Sequence, residues 1–390
     1  MLIRIVRALA VSGVFALALP CAAAAADGQP IPAATASPAP PAVEAARQKS
    51  IAGDTTGAIE VLAPFFDSNP SDVAAGRLLG DLYYRVPNLK LAEATYKRIL
   101  KIAPDDRDTH NRLGGIYSAQ DRIPEAIAEF EKSLPVREGF IGLVELHRRN
   151  GDLVTFERDV AQRAENDRFD PNAQSNYGNV LRAEHRFIEA IVYFKRELSL
   201  RPSSCYSLND LANAYLDVAR VMEAVPLLDK CLGGEPGFYP ALVNIGEANI
   251  EIEKYDKARE YLQKALTIRR DGPEALVDLG YIADVRQQWR AAIQYYQQAI
   301  SADPLARDAY VDLGYDYNEH QLYPLAEAAF LKGLSVSPGD GRLHYMLAVT
   351  YNVQGKLTLA RAQYQNALAC DEPLVVRAAT AELALLPRGD

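Results

Sequence analysis

The chain is poor in the residues that do chemistry. Its 390 residues include four cysteines, five histidines, three methionines and one tryptophan. No cysteines stand as CxxC, no two histidines share metal-ligand spacing and HExxH is missing, which excludes zinc sites and a disulfide-dense mini-domain. GxSxG, GxxxxGK[ST] and GxGxxG are missing too, so no enzyme, metal or cofactor is expected. Gly233-Gly234 lacks the strand and lysine of a phosphate cradle. Positive charge is also short. The formal charge is −9, whereas nucleic-acid binding needs Lys and Arg to displace counterions, so no nucleic-acid partner is expected. The longest apolar run, Ala8 to Leu19, is too short to cross a bilayer as a stable helix.

That run has the form of an export signal. Arg4 and Arg7 precede it, and Ala24-Ala25-Ala26 offers small residues for cleavage before Asp27, giving a signal peptide over 1–26. The expectation is an exported protein, periplasmic in a two-membrane bacterium, with no stable membrane span once the signal is removed. Cys21 raises lipoprotein processing as an alternative, but Pro20 stands where a small residue is usual. Residues 27–42, DGQPIPAATASPAPPA, hold proline and little to bury, and are expected to form a disordered spacer.

What the chain does have is a period. Ala46, Gly80, Gly114, Gly178, Ala212, Gly246, Gly280, Gly314 and Ala348 recur at 34 residues, except across 114–178, where one shortened and one full unit fit. Twelve residues beyond each stands Ala58, Ala92, Ala126, Ala190, Ala224, Ala258, Ala292, Ala326 or Ala360. Four further on comes a large apolar residue such as Tyr96, Phe130, Phe194, Tyr296, Phe330 or Tyr364, and units often close with proline. Both apolar sets fall at i, i+3, i+4 intervals with a break between them, so each unit is two helices back to back. The small residue and the alanine are expected where the two axes come closest.

This L-G-x-x-Y, A-x-x-x-F, closing-Pro pattern resembles the tetratricopeptide repeat family over residues 39–374. The resemblance implies an all-α, right-handed α-solenoid of about ten hairpins, starting near 39, 73, 107, 137, 171, 205, 239, 273, 307 and 341. The array proper is expected over 43–374, a capping helix over 375–386 and a tail over 387–390. The unit at 137–170 departs from the pattern, with Val144, His147 and Phe156 in place of the small residue, Tyr and Ala.

In that family the first helices line the inner wall. Carrying its wall positions over implies Arg77, Arg85 and Arg112 near the N-terminus. The middle supplies Asn172, Asn176, Asn179, Asn209, Asn213 and Asn244, and the C-terminal part supplies Tyr281, Tyr315 and the acids Asp278, Asp284, Asp308, Asp312 and Glu319. Asparagine is a poor helix former, so a row of amides implies use as donors and acceptors for an extended peptide. The arginines are expected to favour an acidic segment and the C-terminal acids a basic one. The family's carboxylate clamp is not reproduced, because Asp81 and Gly142 fall where it needs Asn and Arg.

The function expected is an exported scaffold binding a protein or peptide, in envelope assembly or secretion. A carbohydrate-binding array of a polysaccharide export system, or a non-catalytic accessory subunit of an enzyme, stands as the alternative. Cys205 and Cys231 lie seven residues before Ala212 and seven after Ala224, so an antiparallel hairpin sets them opposite and permits a disulfide. Cys370 has no evident mate. The histidines and Trp289 read as packing residues, and Arg388-Gly389-Asp390 as a frayed tail.

Overall fold

The computed structural model describes residues 40–370 and 372–387. The leader, Cys21, most of the spacer and the Arg388-Gly389-Asp390 tail lie outside the described residues. Those described form 21 helices and no strand. The chain divides into two compact units between Val154 and Thr155. That boundary falls inside the repeat whose packing residues depart from the pattern.

The N-terminal unit holds α1 Pro41–Ile51, α2 Thr55–Ser68, α3 Val73–Arg85, α4 Leu89–Leu100, α5 Arg107–Ala119, α6 Ile123–Ser133 and α7 Arg137–Asn150, and α8 Leu153–Asn166 straddles the division. The C-terminal unit continues with α9 Pro171–Ala183, α10 Phe187–Leu200, α11 Cys205–Leu216, α12 Val221–Gly234, α13 Tyr239–Glu251, α14 Tyr255–Ile268 and α15 Pro273–Val285. It ends with α16 Trp289–Ala302, α17 Arg307–Glu319, α18 Tyr323–Val336, α19 Gly341–Val353, α20 Leu357–Ala367 and the single α21 Pro373–Leu385. Within each unit a first helix packs on its own second helix, and that second helix on the first helix of the next repeat.

Local chemistry sets the ends. Asp54, Asp72, Asp170, Ser204 and Asp340 accept hydrogen bonds from first-turn backbone N–H groups. Pro124 and Pro324 open second helices, where a missing N–H costs nothing. At the turns inside the hairpins, Gly53 and Gly355 take positive φ, but so do Asp121, His185, Ala219, Glu253, Gln287 and Gln321, at 55–59°.

The core follows the period. All nine repeat alanines, Ala58 through Ala360, are fully buried. The close approach differs in detail from the expectation. It is the second-helix ring, not the alanine, that sits over the first-helix glycine: a Cβ at Gly178 would lie 2.6 Å from Phe194, and one at Gly114 2.7 Å from Phe130. Glycine is needed there because an aromatic ring already occupies the volume of a methyl group.

The fourth residue of three repeats pins the incoming chain. Ring nitrogens of His110 and His344 lie 2.7 and 2.9 Å from the carbonyls of Pro104 and Pro338, and the Tyr310 hydroxyl donates to the Pro304 carbonyl at 3.1 Å. Trp289 is half-buried and stacks on His320 at 4.3 Å. Over the last repeat, α21 buries Val375 and Ala379 completely. It is held there also by Arg342, 4% exposed across its side chain, which lies 2.6 Å from Asp308, 3.5 Å from Asp340 and 3.8 Å from Glu372.

Candidate partner-binding wall

The first helices of successive repeats present their wall residues to one another, and most of the polar ones are already engaged. In the N-terminal unit, Arg77 pairs with Asp108 at 2.5 Å and Asp106 at 3.7 Å, and Arg112 donates to Asp81 at 2.8 Å. Arg85 donates to the Ser50 hydroxyl at 3.0 Å. These three arginines therefore have partners on neighbouring repeats and do not stand as a bare cationic patch.

The amide row divides in the same way. Asn179 is buried and donates back to the Ser175 carbonyl of its own helix at 3.0 Å. Asn209 is buried, and its oxygen accepts from the amide of Asn244 at 2.7 Å. Asn172 is exposed at the start of α9, and its oxygen accepts from Arg201 at 3.1 Å. Asn176 and Asn213 are different. Both are half-buried, and neither side chain has a hydrogen-bonding partner among the described residues. The row of amides implied by the resemblance thus reduces to two unengaged members on adjacent first helices.

Several of the links between wall residues span 35 positions, joining a side chain to the one a repeat and one residue further on. Ser175 donates to Asp210 at 3.3 Å, and Arg182 forms a two-point pair with Asp217 at 2.5 and 3.1 Å. Further along, Asn318 and Thr350 bond at 2.8 Å.

The C-terminal repeats carry the acids. Tyr281 is half-buried and Tyr315 is buried, its hydroxyl held well above the ordinary range by burial and by Glu319. Asp316, absent from the wall positions the resemblance supplies, is 4% exposed. Burial, then the neighbouring Asp284, Asp312 and Glu319, push its carboxyl up to about 9. The Tyr296 hydroxyl, buried beneath, donates to Asp284 at 2.7 Å. The signal that could have found this cluster is the i, i+4 spacing of Asp312 and Asp316, which sets two acids on one side of α17.

Cys205 and Cys231 are bonded as a disulfide across the α11–α12 hairpin, with Cα atoms 4.8 Å apart. The bond ties together the repeat that carries Asn209, Asp210 and Asn213. Cys370 directs its thiol at the Glu372 carbonyl, 3.9 Å away.

The tetratricopeptide repeat profile matches residues 45–107, 277–334 and 311–374, and a second profile of the same description matches 239–271. The chain belongs to the tetratricopeptide repeat family. No curated protein sequence matches it. Among solved structures, the APC/C heterotetramer Cut9–Hcn1 is similar with a TM-score of 0.53 and 17% identity, over 88% of this chain and 69% of that one. The human IFIT1 dimer with m7Gppp-AAAA is similar with a TM-score of 0.54 and 18% identity, over 81% of each chain. At such identities the likeness is one of fold. Tetratricopeptide arrays are scaffolds for protein interaction, and no described helix of this one is long and apolar enough to cross a membrane.

Proposed function

We propose that this tetratricopeptide protein is an exported scaffold that binds an extended segment of a protein partner along the first-helix wall of its C-terminal unit, in envelope assembly or secretion. The observation that carries the reading is the pair Asn176 and Asn213, half-buried amides with no partner of their own on a wall where polar neighbours are otherwise linked. An amide offers a donor and an acceptor together, which suits a peptide backbone whatever its side chains. The leader sequence supports export, and the Cys205–Cys231 pair is of the kind retained in an oxidising compartment.

The test is capture of cross-linked partners from envelope extract with the wild-type protein and with Asn176→Ala/Asn213→Ala. Loss of two typical net hydrogen bonds, each about 0.5–1.5 kcal/mol, should weaken capture roughly tenfold or more while helicity stays intact or rises slightly. Equal capture by both proteins sinks the amide site. Binding to cell-wall glycans in place of protein would favour a carbohydrate-binding array.

A further inference from the structure

The terminal helix α21 covers the last repeat with one face, where Val375 and Ala379 are fully buried. Its other face departs from what the end of a stacked array requires, a polar surface turned to water. Of the exposed residues on α21 only Arg377 and Thr380 are polar. By contrast α14, a second helix inside the array, exposes Asp256, Lys257, Arg259, Glu260, Gln263 and Lys264. Leu374 is 45% exposed, and Leu385, at 78%, is the most exposed leucine among the described residues.

The bare face has an order. Leu374, Ala378, Ala381 and Leu385 recur at intervals of four, three and four, which on a helix of 3.6 residues per turn makes one narrow apolar stripe. Arg377 flanks the stripe on one side and Glu382 on the other. Neither of these two side chains has a hydrogen bond or an ion pair among the described residues.

This pattern complements itself. Set a second α21 antiparallel to the first, with a two-fold axis midway between Ala379 and Thr380. Leu374 then comes level with Leu385 of the second copy, and Ala378 with its Ala381. The same register sets Arg377 beside Glu382 of the second copy, twice about the axis, so each charge gains the opposite charge it lacks. Alanines at the centre allow the two axes to approach to about 8 Å, the close end of helix packing. A parallel arrangement would set Arg377 against Arg377 and Glu382 against Glu382, and is disfavoured.

We propose that the chain forms a two-fold dimer through α21, the outer face of each terminal helix covering the other. One helix of 13 residues per copy offers less than the roughly 800 Å² that a standard interface buries on each side, so the dimer belongs to the micromolar class. The contact uses none of the wall residues and does not depend on the wall reading. A dimer carries two walls, and a partner with two matching segments would be held by both.

The test is sedimentation velocity of the full chain from about 1 to 100 μM, which brackets a micromolar constant. Wild type should pass from one chain mass toward two across that range. Leu385→Glu, a change at an exposed position, should weaken association by about tenfold or more. Arg377→Glu and Glu382→Arg should each weaken self-association, since each reversal sets like charges level. An equimolar mixture of these two variants should dimerise again, because every pair across the axis is then opposite in sign. Circular dichroism checks that each variant remains helical. Asn176→Ala/Asn213→Ala should dimerise as wild type does, which separates this contact from the wall. Wild type that keeps one chain mass at the top of the range, association that Leu385→Glu leaves unchanged, or a mixture that stays monomeric overturns the dimer. Monomeric wild type that captures a protein from envelope extract and loses it with Leu385→Glu assigns the face to another occupant, and overturns it too.

Discussion

Asn244 donates its amide to the oxygen of Asn209, one repeat away, at 2.7 Å. The bond fastens α11 to α13 on the very face where both residues invite reading as ligand contacts. Amides in the same row therefore have different duties, Asn209 and Asn244 structural and Asn176 and Asn213 unengaged.

The difference is measurable in stability. Asn244→Ala leaves the buried Asn209 oxygen without its donor and should lower stability by about 1–2 kcal/mol. Asn213→Ala removes no bond and gains helix propensity, so its effect should be neutral or slightly stabilising. Urea titration followed by circular dichroism distinguishes the two, and identical shifts would contradict the division.

Ala219 closes the α11–α12 turn with φ at 55°. An L-residue held in the left-handed region costs about 1–2 kcal/mol, partly offset by the greater chain entropy glycine loses on folding. Ala219→Gly should therefore raise stability by about 0.5–1 kcal/mol, and Gly355→Ala, at φ 72°, should lower it by a similar amount. Thermal melts of the two variants should shift in opposite directions.

Asp316 gives the chain a pH dependence of its own. Below the unfolded carboxyl pKa of about 3.9 both states hold the proton. Above it the unfolded chain releases the proton while the folded one keeps it up to about 9. This group's contribution therefore falls steadily as pH rises from 4 toward 9. Asp316→Asn should be more stable than wild type at neutral pH, with a gap that widens between about pH 5 and 8. A wild-type midpoint that rises over that window as steeply as the variant's would contradict the assignment.

The disulfide closes a loop with a sequence separation of 26. Chain entropy alone puts its contribution at about 3 kcal/mol. Protein isolated without reductant should protect Cys205 and Cys231 from alkylation while Cys370 reacts on unfolding, as intact mass would show. Cys205→Ser/Cys231→Ser should lose about that much stability, and the loss should appear in wild type only after unfolding in reductant, because both sulfurs belong to buried residues.

The hairpin plan is legible in the sequence because each repeat restates it. Glycine, alanine, ring and proline return at fixed separations, and the helical period turns those separations into faces. The one repeat where the statement falters, with Val144, His147 and Phe156 in place of its packing residues, is also where the chain divides into two compact units. The pairing of Cys205 with Cys231 was within reach for the same reason, since both are counted from a contact inside one hairpin.

The wall chemistry was not legible in this way. Whether Asn209 meets a ligand or Asn244, and whether Arg112 is a free cation or the partner of Asp81, depends on side chains 31 to 35 residues apart brought level by stacking. Wall positions taken from a family pattern fix where a residue sits, not what already occupies its hydrogen bonds. Asp316 makes the point most sharply. In sequence it is one more acid on an exposed-looking helix, and only packing removes it from water and sets other carboxyls around it. Sequence by itself determined the period, the helices and the core, because these follow from local spacing and side-chain size. Tertiary structure alone decided which polar groups on the wall are satisfied, because a hydrogen bond needs two atoms in reach and the chain order of this protein does not say which repeats' side chains arrive together.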